Sequence, residues 1–482
     1  MLQLTDQHES GLEQSHRSSP LSIDRDSQAL SGPIHLSHSR LGLAQRLPHE
    51  LLAEIFLIGL DTLDLEEESR PFTTEYLIRL TAVCAFWRVV AVSTSTLWAK
   101  IRCTYYKPRT VDTVAAFLEV QLERSNNVLL DVWLTSDHWS DKSSESIIAE
   151  ILYPHLHRCH TITLQVFHED ATLLLPLPGP LKNLISLTVR DWRCDDTNKI
   201  ILPTADTPLL HTLQYQGPLT ALLALQTNSL KHINLHCDTL GQCVDFVSRY
   251  PDAESVVVSP VWLKHSDVFP KAFSLDKLTF LGIPYIFCTT FQHIFKAPKL
   301  EELVMWLFVS PYESYRRGIQ ILPFQSLKRV TLIGMGEVLE HPRILYDFVA
   351  SHPSIEQFTL RYFLDPFILS VILAYGDTKD NVYWTYIQEK EMGLPENYGP
   401  LLPSLTVLRF EQSTRVYGGR LSLGSVTDLL KARPVLSFSE SGYVGREEKV
   451  WLDHVKARFG HRFTNIPYER PQFGPLNYFG FV

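Results

Sequence analysis

Positive charge, cysteine and long apolar runs are all in short supply in this chain, and each shortage removes a class of function. Lys and Arg number 44 against 53 Asp and Glu, a net charge of −9 with a pI near 6.1. Nucleic-acid binding needs a basic surface to neutralise phosphate, so no nucleic-acid partner is expected. The seven cysteines, Cys84, Cys103, Cys159, Cys194, Cys237, Cys243 and Cys288, are odd in number and scattered, with no Cys-x-x-Cys pair. They make neither a disulfide framework nor a zinc ribbon, and they fit a reducing compartment, cytoplasm or nucleus. No uninterrupted apolar stretch approaches the ~18 residues that span a bilayer, and the N-terminus lacks the basic start and apolar core of a signal peptide. A soluble protein without a membrane partner is the expectation.

The motifs of common catalysts are missing too. There is no Gly-x-Ser-x-Gly elbow, no Gly-x-x-x-x-Gly-Lys-Ser/Thr phosphate loop and no Gly-x-Gly-x-x-Gly after a strand. His49-Glu50 begins like a zinc-protease helix, but Ala53 stands where the second histidine ligand belongs. His155, His157, Cys159 and His160 alternate across a helix-to-strand junction and read as wet histidines at a helix end rather than metal ligands. Asp195-Asp196 and Gly418-Gly419 read as turns. No catalytic residue, metal or cofactor is expected. A hydrolase or transferase on an α/β scaffold is the competing class, and it lacks a nucleophile.

Hydrophobic residues at 45%, with 11% aromatics, are ample for a packed core. Residues 1–44 are rich in Ser, Gln, His and Asp without apolar periodicity and are expected to be disordered. In residues 45–101, Leu47-Pro48-His49-Glu50 marks a helix start, with Leu51, Leu52, Ile55 and Phe56 on one apolar face. A second amphipathic segment runs from Tyr76 through Leu80, Val83 and Trp87 to Val90, with Thr73 or Thr74 as its N-cap, and Ser95-Thr96-Leu97-Trp98 starts a short third turn. Between the first two lies an acidic link from Asp61 to Pro71.

The order Leu47-Pro48-x-Glu50-Leu51-Leu52-x-Glu54-Ile55-Phe56, then Val83-Cys84-x-x-Trp87-Arg88-x-Val90-Ala91, then Thr96-Leu97-Trp98, resembles an F-box. That resemblance implies a three-helix unit that docks on a Skp-type adaptor and through it joins a cullin-based ubiquitin ligase. The adaptor-binding residues it implies are Leu47, Pro48, Leu51, Leu52, Ile55, Val83, Cys84, Trp87, Val90, Leu97 and Trp98, with Leu51, Ile55, Val83 and Val90 presented to the adaptor. The acidic link is longer than is usual in that family.

Residues 102–157 read as a helical and strand connector with an N-terminal cap, including a helix over Thr110–Arg124 and a strand over Val128–Leu134. Over residues 158–440 an apolar-x-x-apolar-x-apolar unit recurs about every 25 residues, from Cys159/Ile162/Leu164 through Leu275/Leu278/Phe280 to Leu405/Leu408/Phe410, with an insertion near 375–400. Amphipathic segments such as Val244–Pro251, Phe291–Pro298 and Leu345–Pro353 end at proline before the next strand. This series resembles leucine-rich repeats without the usual asparagine, and it implies an irregular solenoid of short parallel strands and helices in an α/β chain; residues 441–482 would be a C-terminal cap or tail.

Strand residues between the apolar positions point to the other face. One outward column reads Thr188, Gln214, Asn234, Val257, Thr279, Val304, Thr331, Thr359, Arg409, and the next includes Leu281, Trp306 and Ile333. Arginine and tryptophan dominate protein-binding hot spots, so Arg190, His236, Trp306, Arg361 and Arg409 are the expected contacts for a protein substrate, Arg361 and Arg409 forming a basic spot suited to an acidic or phosphorylated segment. The functional expectation is a non-catalytic substrate receptor; the alternative is an interaction scaffold with no role in ubiquitination.

Overall fold

The computed structural model describes residues 47–66, 72–105, 111–136, 142–166, 180–191, 206–217, 219, 222, 225, 227–237, 240–260, 272–284, 295–308, 324–335, 348–361, 402–411, 437–441, 457 and 463–465. Leu47 and Pro48 fall in a separate unit from residues 49–482, which hold every element below. The expected disorder of residues 1–44 and the insertion near 375–400 lie outside the described residues. Among those described, no helix is long and apolar enough to cross a membrane.

The N-terminal elements are helical: α1 (His49–Glu66), α2 (Phe72–Val83), α3 (Ala85–Ser93) and α4 (Ser95–Trp98). Leu52, Phe56 and Leu60 recur at i, i+4 and i+8 on α1 and are buried, as are Leu77 and Leu80 on α2 and Val90 and Ala91 on α3. The segment expected to run unbroken from Tyr76 to Val90 is two helices. Cys84 is extended (φ −161°, ψ 169°), and its Sγ accepts the Trp87 N–H at 3.5 Å, so it caps α3 and turns the chain between α2 and α3. Thr73 and Thr74 lie inside α2 rather than before it. Most of the expected acidic link is helix as well, since α1 continues through Asp61 to Glu66.

Fourteen of the strands form one sheet: β1 (Lys100–Tyr105), β2 (Leu130–Ser136), β3 (Cys159–Val166), β4 (Ser186–Asp191), β5 (Thr212–Gln216), β6 (His232–Cys237), β7 (Ser255–Pro260), β9 (Phe280–Pro284), β11 (Glu302–Phe308), β12 (Arg329–Met335), β13 (Gln357–Arg361), β14 (Val407–Glu411), β15 (Ser437–Ser441) and β16 (Phe463–Asn465). Every strand pairs in parallel with the next in that order, so β1 and β16 are the two edges of an open sheet. β1 and β2, from the segment read as a connector, belong to the same sheet. The helices α5 (Val111–Arg124), α6 (Lys142–Leu152) and α7 (Leu240–Val247) alternate with it, and β8 (Phe273–Ser274) and β10 (Phe295–Lys296) form a separate two-stranded parallel ladder. That ladder replaces the helical segment expected to include Phe295.

The core lies on one face of the sheet. A continuous column begins at Ile101, Val132, Ile162 and Leu187 and ends at Leu303, Val330, Phe358 and Leu408, each buried and in register with its neighbours. A turn precedes each of several strands, closed by a backbone bond three residues back: Leu184 N–H to Leu181 O, Ala253 to Tyr250, Leu300 to Ala297, Leu405 to Leu402. Proline occupies the second turn position at Pro208, Pro251, Pro298, Pro353 and Pro403, where its fixed φ suits the turn. These prolines therefore shape the entry to a strand and do not simply stop a helix.

The third turn position carries a ladder between repeats. Asn183 Nδ2 donates to His157 O, Ser229 Oγ to Pro208 O, Ser326 Oγ to Pro298 O and Ser354 Oγ to Leu327 O, all at 2.8 Å. Lys277 and Asp252, one repeat apart in the same position, pair at 2.8 Å.

One repeat sits in a different frame from that expected. Leu278 N–H bonds Leu275 O, which makes Leu275–Leu278 the turn, and the core residues are Leu278, Leu281 and Ile283. Leu281 pairs with Val256 and Leu303 in the core, so the opposite-face positions of β9 fall to Phe280, Gly282 and Pro284 instead of Thr279 and Leu281.

Among the described cysteines, Cys84, Cys103 and Cys159 are free thiols and Cys243 is disulfide-bonded. Burial raises the Cys103 and Cys159 thiols to about 12, leaving both protonated and unreactive at neutral pH.

Candidate docking faces

The first face is built on the helices. On α1, Leu51, Ile55 and Ile58 recur at i, i+4 and i+7, and all three are exposed, at 53%, 48% and 62%. This row lies beside the buried row Leu52, Phe56 and Leu60, so the four residues expected to share one face are divided between two. Ile78 and Val83 on α2 and Val89 and Val92 on α3 are exposed as well. Large aliphatic side chains in water at this density mark a contact surface rather than chance.

The residues singled out from the sequence therefore split by role. Leu51, Ile55 and Val83 are available to a partner. Leu52, Val90, Leu97 and Trp98 are buried within the chain, Val90 at 0%, and hold the helices together instead of facing outward. Trp87 is half-buried with its ring 4.9 Å from Phe56, and Cys84 is the α3 cap described above. Trp98 donates its indole N–H to Ala91 O at 2.7 Å. Pro48 is exposed and Leu47 half-buried. Ile58, Ile78, Val89 and Val92 were missed by the sequence reading; Ile58 was legible as the next i+3 step after Ile55, whereas the others required the break at Cys84.

The second face is the side of the sheet opposite the main core. There Val304, Trp306 and Ile333 form a small separate cluster with Val257 and Phe280 packed against it. Trp306 is 5% exposed and Ile333 3%, so the expected exposed apolar spot is a buried one. Gly282 makes the arrangement possible: a Cβ on it would stand 2.9 Å from Trp306 Cη2 and 3.2 Å from Val257 Cγ2.

A cavity of about 320 Å³ opens beside this cluster; Phe280, Trp306, Ile333, Glu302, Arg329, Arg361 and Arg409 are among its lining residues. Thr359 pairs with Arg409 across β13 and β14, so Arg361, two residues along β13, lies on the same face as Arg409. Arg329 Nε donates to Glu302 Oε2 at 2.8 Å. The indole N–H of Trp306 and the Nε–H of Arg409 are buried and have no hydrogen-bond partner among the described residues.

Three of the five expected substrate contacts, Trp306, Arg361 and Arg409, therefore come together, and two do not. Arg190 on β4 is 8% exposed, and His236 lies on β6; neither lines the cavity. Burial lowers the His236 imidazole to about 4, so it is neutral at pH 7 and presents no charge to a partner. Glu302 and Arg329 were missed, although they occupy matching positions in adjacent repeats with opposite charge, a pattern readable as a cross-strand pair.

The histidine-rich junction is structural. His157 Nδ1 lies 2.9 Å from Pro154 O, and Arg158 is buried, donating to Leu122 O at 3.0 Å and Ser125 Oγ at 2.7 Å to close the C-terminal end of α5. Among the described residues no group of three or more His, Cys, Asp or Glu is placed to hold a metal ion.

A family model described as F-box-like matches residues 44–104. Comparison with curated proteins gives no match for the chain.

Proposed function

We propose, with an F-box-like domain at residues 44–104 as the premise, that this chain is the substrate-recognition subunit of a Skp-cullin-F-box ubiquitin ligase. F-box domains generally bind Skp-type adaptors. The observation that carries the reading is the row of exposed aliphatic side chains on α1–α3, Leu51, Ile55, Ile58, Ile78, Val83, Val89 and Val92, set on helices whose other faces are buried. An adaptor that covers them removes apolar surface from water, at roughly 25 cal/mol per Å² before the costs of association.

In this reading the parallel sheet is a leucine-rich-repeat-like solenoid. Support comes from the strictly sequential strand order, the recurring turn before the strands and the Asn/Ser ladder between repeats. Its face opposite the core receives a protein substrate, and the thioester and transfer chemistry belongs to the partners, so this chain is not a catalyst. The cytoplasm or nucleus is its place of action.

Two measurements test the reading. Purified Skp-type adaptor should retain the wild-type chain and lose a Leu51→Asp/Ile55→Asp variant; equal retention of both removes the docking assignment. A reconstituted cullin ligase should then modify a captured substrate only when this subunit is present. Binding without any gain in ubiquitination would leave an interaction scaffold in its place.

A further inference from the structure

We infer that a trough crossing β11 to β14, on the face opposite the core, takes the last residues of an extended peptide, with its C-terminal carboxylate at Arg409. That the peptide belongs to a ligase substrate rests on the receptor reading above; the fit of a chain end rests on the trough alone.

The strand register lays this face out in three parallel rows that cross the strands. The middle row reads Val257, Gly282, Val304, Thr331, Thr359 and Arg409. The rows beside it carry longer side chains, Glu302, Arg329 and Gln357 on one side and Trp306, Ile333 and Arg361 on the other. Residues two apart on a strand share a face, so the three rows make a floor of short side chains between two taller banks, and that depression is the cavity of about 320 Å³. A volume at the small end of ligand pockets takes a few residues of a chain and not a folded loop.

The floor is bounded at both ends. Beyond Val304 the Trp306 ring occupies the space over Gly282, where a Cβ would stand 2.9 Å from its Cη2. Beyond Thr359 comes Arg409, a long side chain in the middle row itself. Trp306 on β11 and Arg409 on β14 are three strand steps apart, a backbone separation of roughly 14 Å, which about four extended residues span.

Each end also carries a buried donor with no acceptor among the described residues, Trp306 Nε1–H and Arg409 Nε–H. Buried donors are normally satisfied, so an occupant has to bring two acceptors, set apart along the trough. A neutral indole N–H suits a peptide carbonyl, and a guanidinium suits a carboxylate, to which it bonds most strongly. Arg329 is already bonded to Glu302 at 2.8 Å, and Arg361 has an interaction of its own within the chain, so the carboxylate is assigned to Arg409. A chain running along the floor must rise over Arg409 to continue, whereas a chain that ends there need not. An N-terminal ammonium is itself a donor and satisfies neither end, which leaves the C-terminus.

The test uses the full chain, immobilised without adaptor, and two otherwise identical pools of N-acetylated random hexapeptides, one ending in a free carboxylate and one in a carboxamide. Peptides retained from the first pool, resynthesised with a fluorescent label at the N-terminus, should bind at least tenfold more tightly than their own carboxamides by fluorescence polarisation. Arg409→Gln should weaken the carboxylate form at least tenfold and leave the carboxamide form unchanged. Thr331→Phe, which keeps every charge but raises the floor, should weaken both forms at least tenfold, each variant being checked for an unchanged thermal midpoint. Equal binding of the two forms, the result expected of an internal segment, overturns the inference, as does retention from neither pool or wild-type binding by Thr331→Phe. The comparison of the two forms on the wild-type chain stands without either variant. Because adaptor is absent, adaptor capture and peptide binding fail independently: loss of the first removes the receptor reading, and loss of the second removes this site.

Discussion

At the scale of single residues, Gly282 and His236 show how a side chain, or its absence, sets a local outcome. Trp306 occupies the space that any Cβ at position 282 would need, with 2.9 Å to its Cη2. Gly282→Ala is expected to cost about 1–3 kcal/mol by overpacking, read as a lower urea midpoint at unchanged slope. Trp306→Leu in the same chain should recover part of that loss in a double-mutant cycle; additive losses would show that the two positions do not compete for space. His236 is held neutral by burial, down to about 4 from 6.5. Because the unfolded chain binds the proton first, stability conferred by the neutral ring is present above pH 6.5 and is lost as pH falls towards 4. The shift corresponds to about 3 kcal/mol at most, from ~1.4 kcal/mol per pH unit. His236→Gln should flatten the stability profile between pH 6.5 and 4 relative to wild type. A profile identical to wild type would mean the carboxylates alone govern that range.

At the scale of elements, α1 is two-faced, and its two rows predict opposite phenotypes. Leu52→Ala empties buried space and should cost about 2–5 kcal/mol of stability. Leu51→Asp replaces an exposed side chain and should change stability by no more than about 0.5 kcal/mol while abolishing adaptor capture. The same contrast holds on α3, between buried Val90 and exposed Val89. Denaturation and capture measured on all four variants would separate the rows, and a common outcome for Leu51 and Leu52 would contradict the division. The break at Cys84 belongs to this scale too. It converts one amphipathic run into two helices and so places Val83 and Val89 on separate elements, both exposed.

At the scale of the whole molecule, the helices and the sheet from residue 49 onward are one compact unit. Trp98 is one residue that joins them. Its ring lies 6.4 Å from Phe117 and 4.4 Å from the Arg124 guanidinium, both on α5, while Lys100 at the start of β1 pairs with Asp61 of α1. Trp98→Ala is expected to cost about 3–5 kcal/mol and to lower hydrogen-exchange protection in α1–α3 and in α5 together. Loss confined to one side would show that the two parts are stabilised separately. Along the sheet every strand depends on its sequential neighbours, so no long-range strand exchange is needed to assemble it.

The sequence by itself determined the parts that depend on local spacing and on matching motifs. Helix-period apolar residues and Pro48 identify α1, Leu97-Trp98 identifies α4, and the recurring apolar triplet identifies parallel strands and most of their core column, because each buried position repeats within one unit. Tertiary structure alone decided where two local readings were equally good. Leu275, Leu278 and Leu281 are evenly spaced, so spacing offers two frames three residues apart, and only pairing of Leu281 with Val256 and Leu303 selects one. Leu51 and Leu52 are equally apolar, and only the position of α2 and α3 against α1 decides which is covered. The cavity was legible in three of its arginine and tryptophan residues, Trp306, Arg361 and Arg409, but the close packing of Gly282 against Trp306 and Val257 was not. That packing depends on what stands one strand away, and composition carries no information about a neighbour until the register is set.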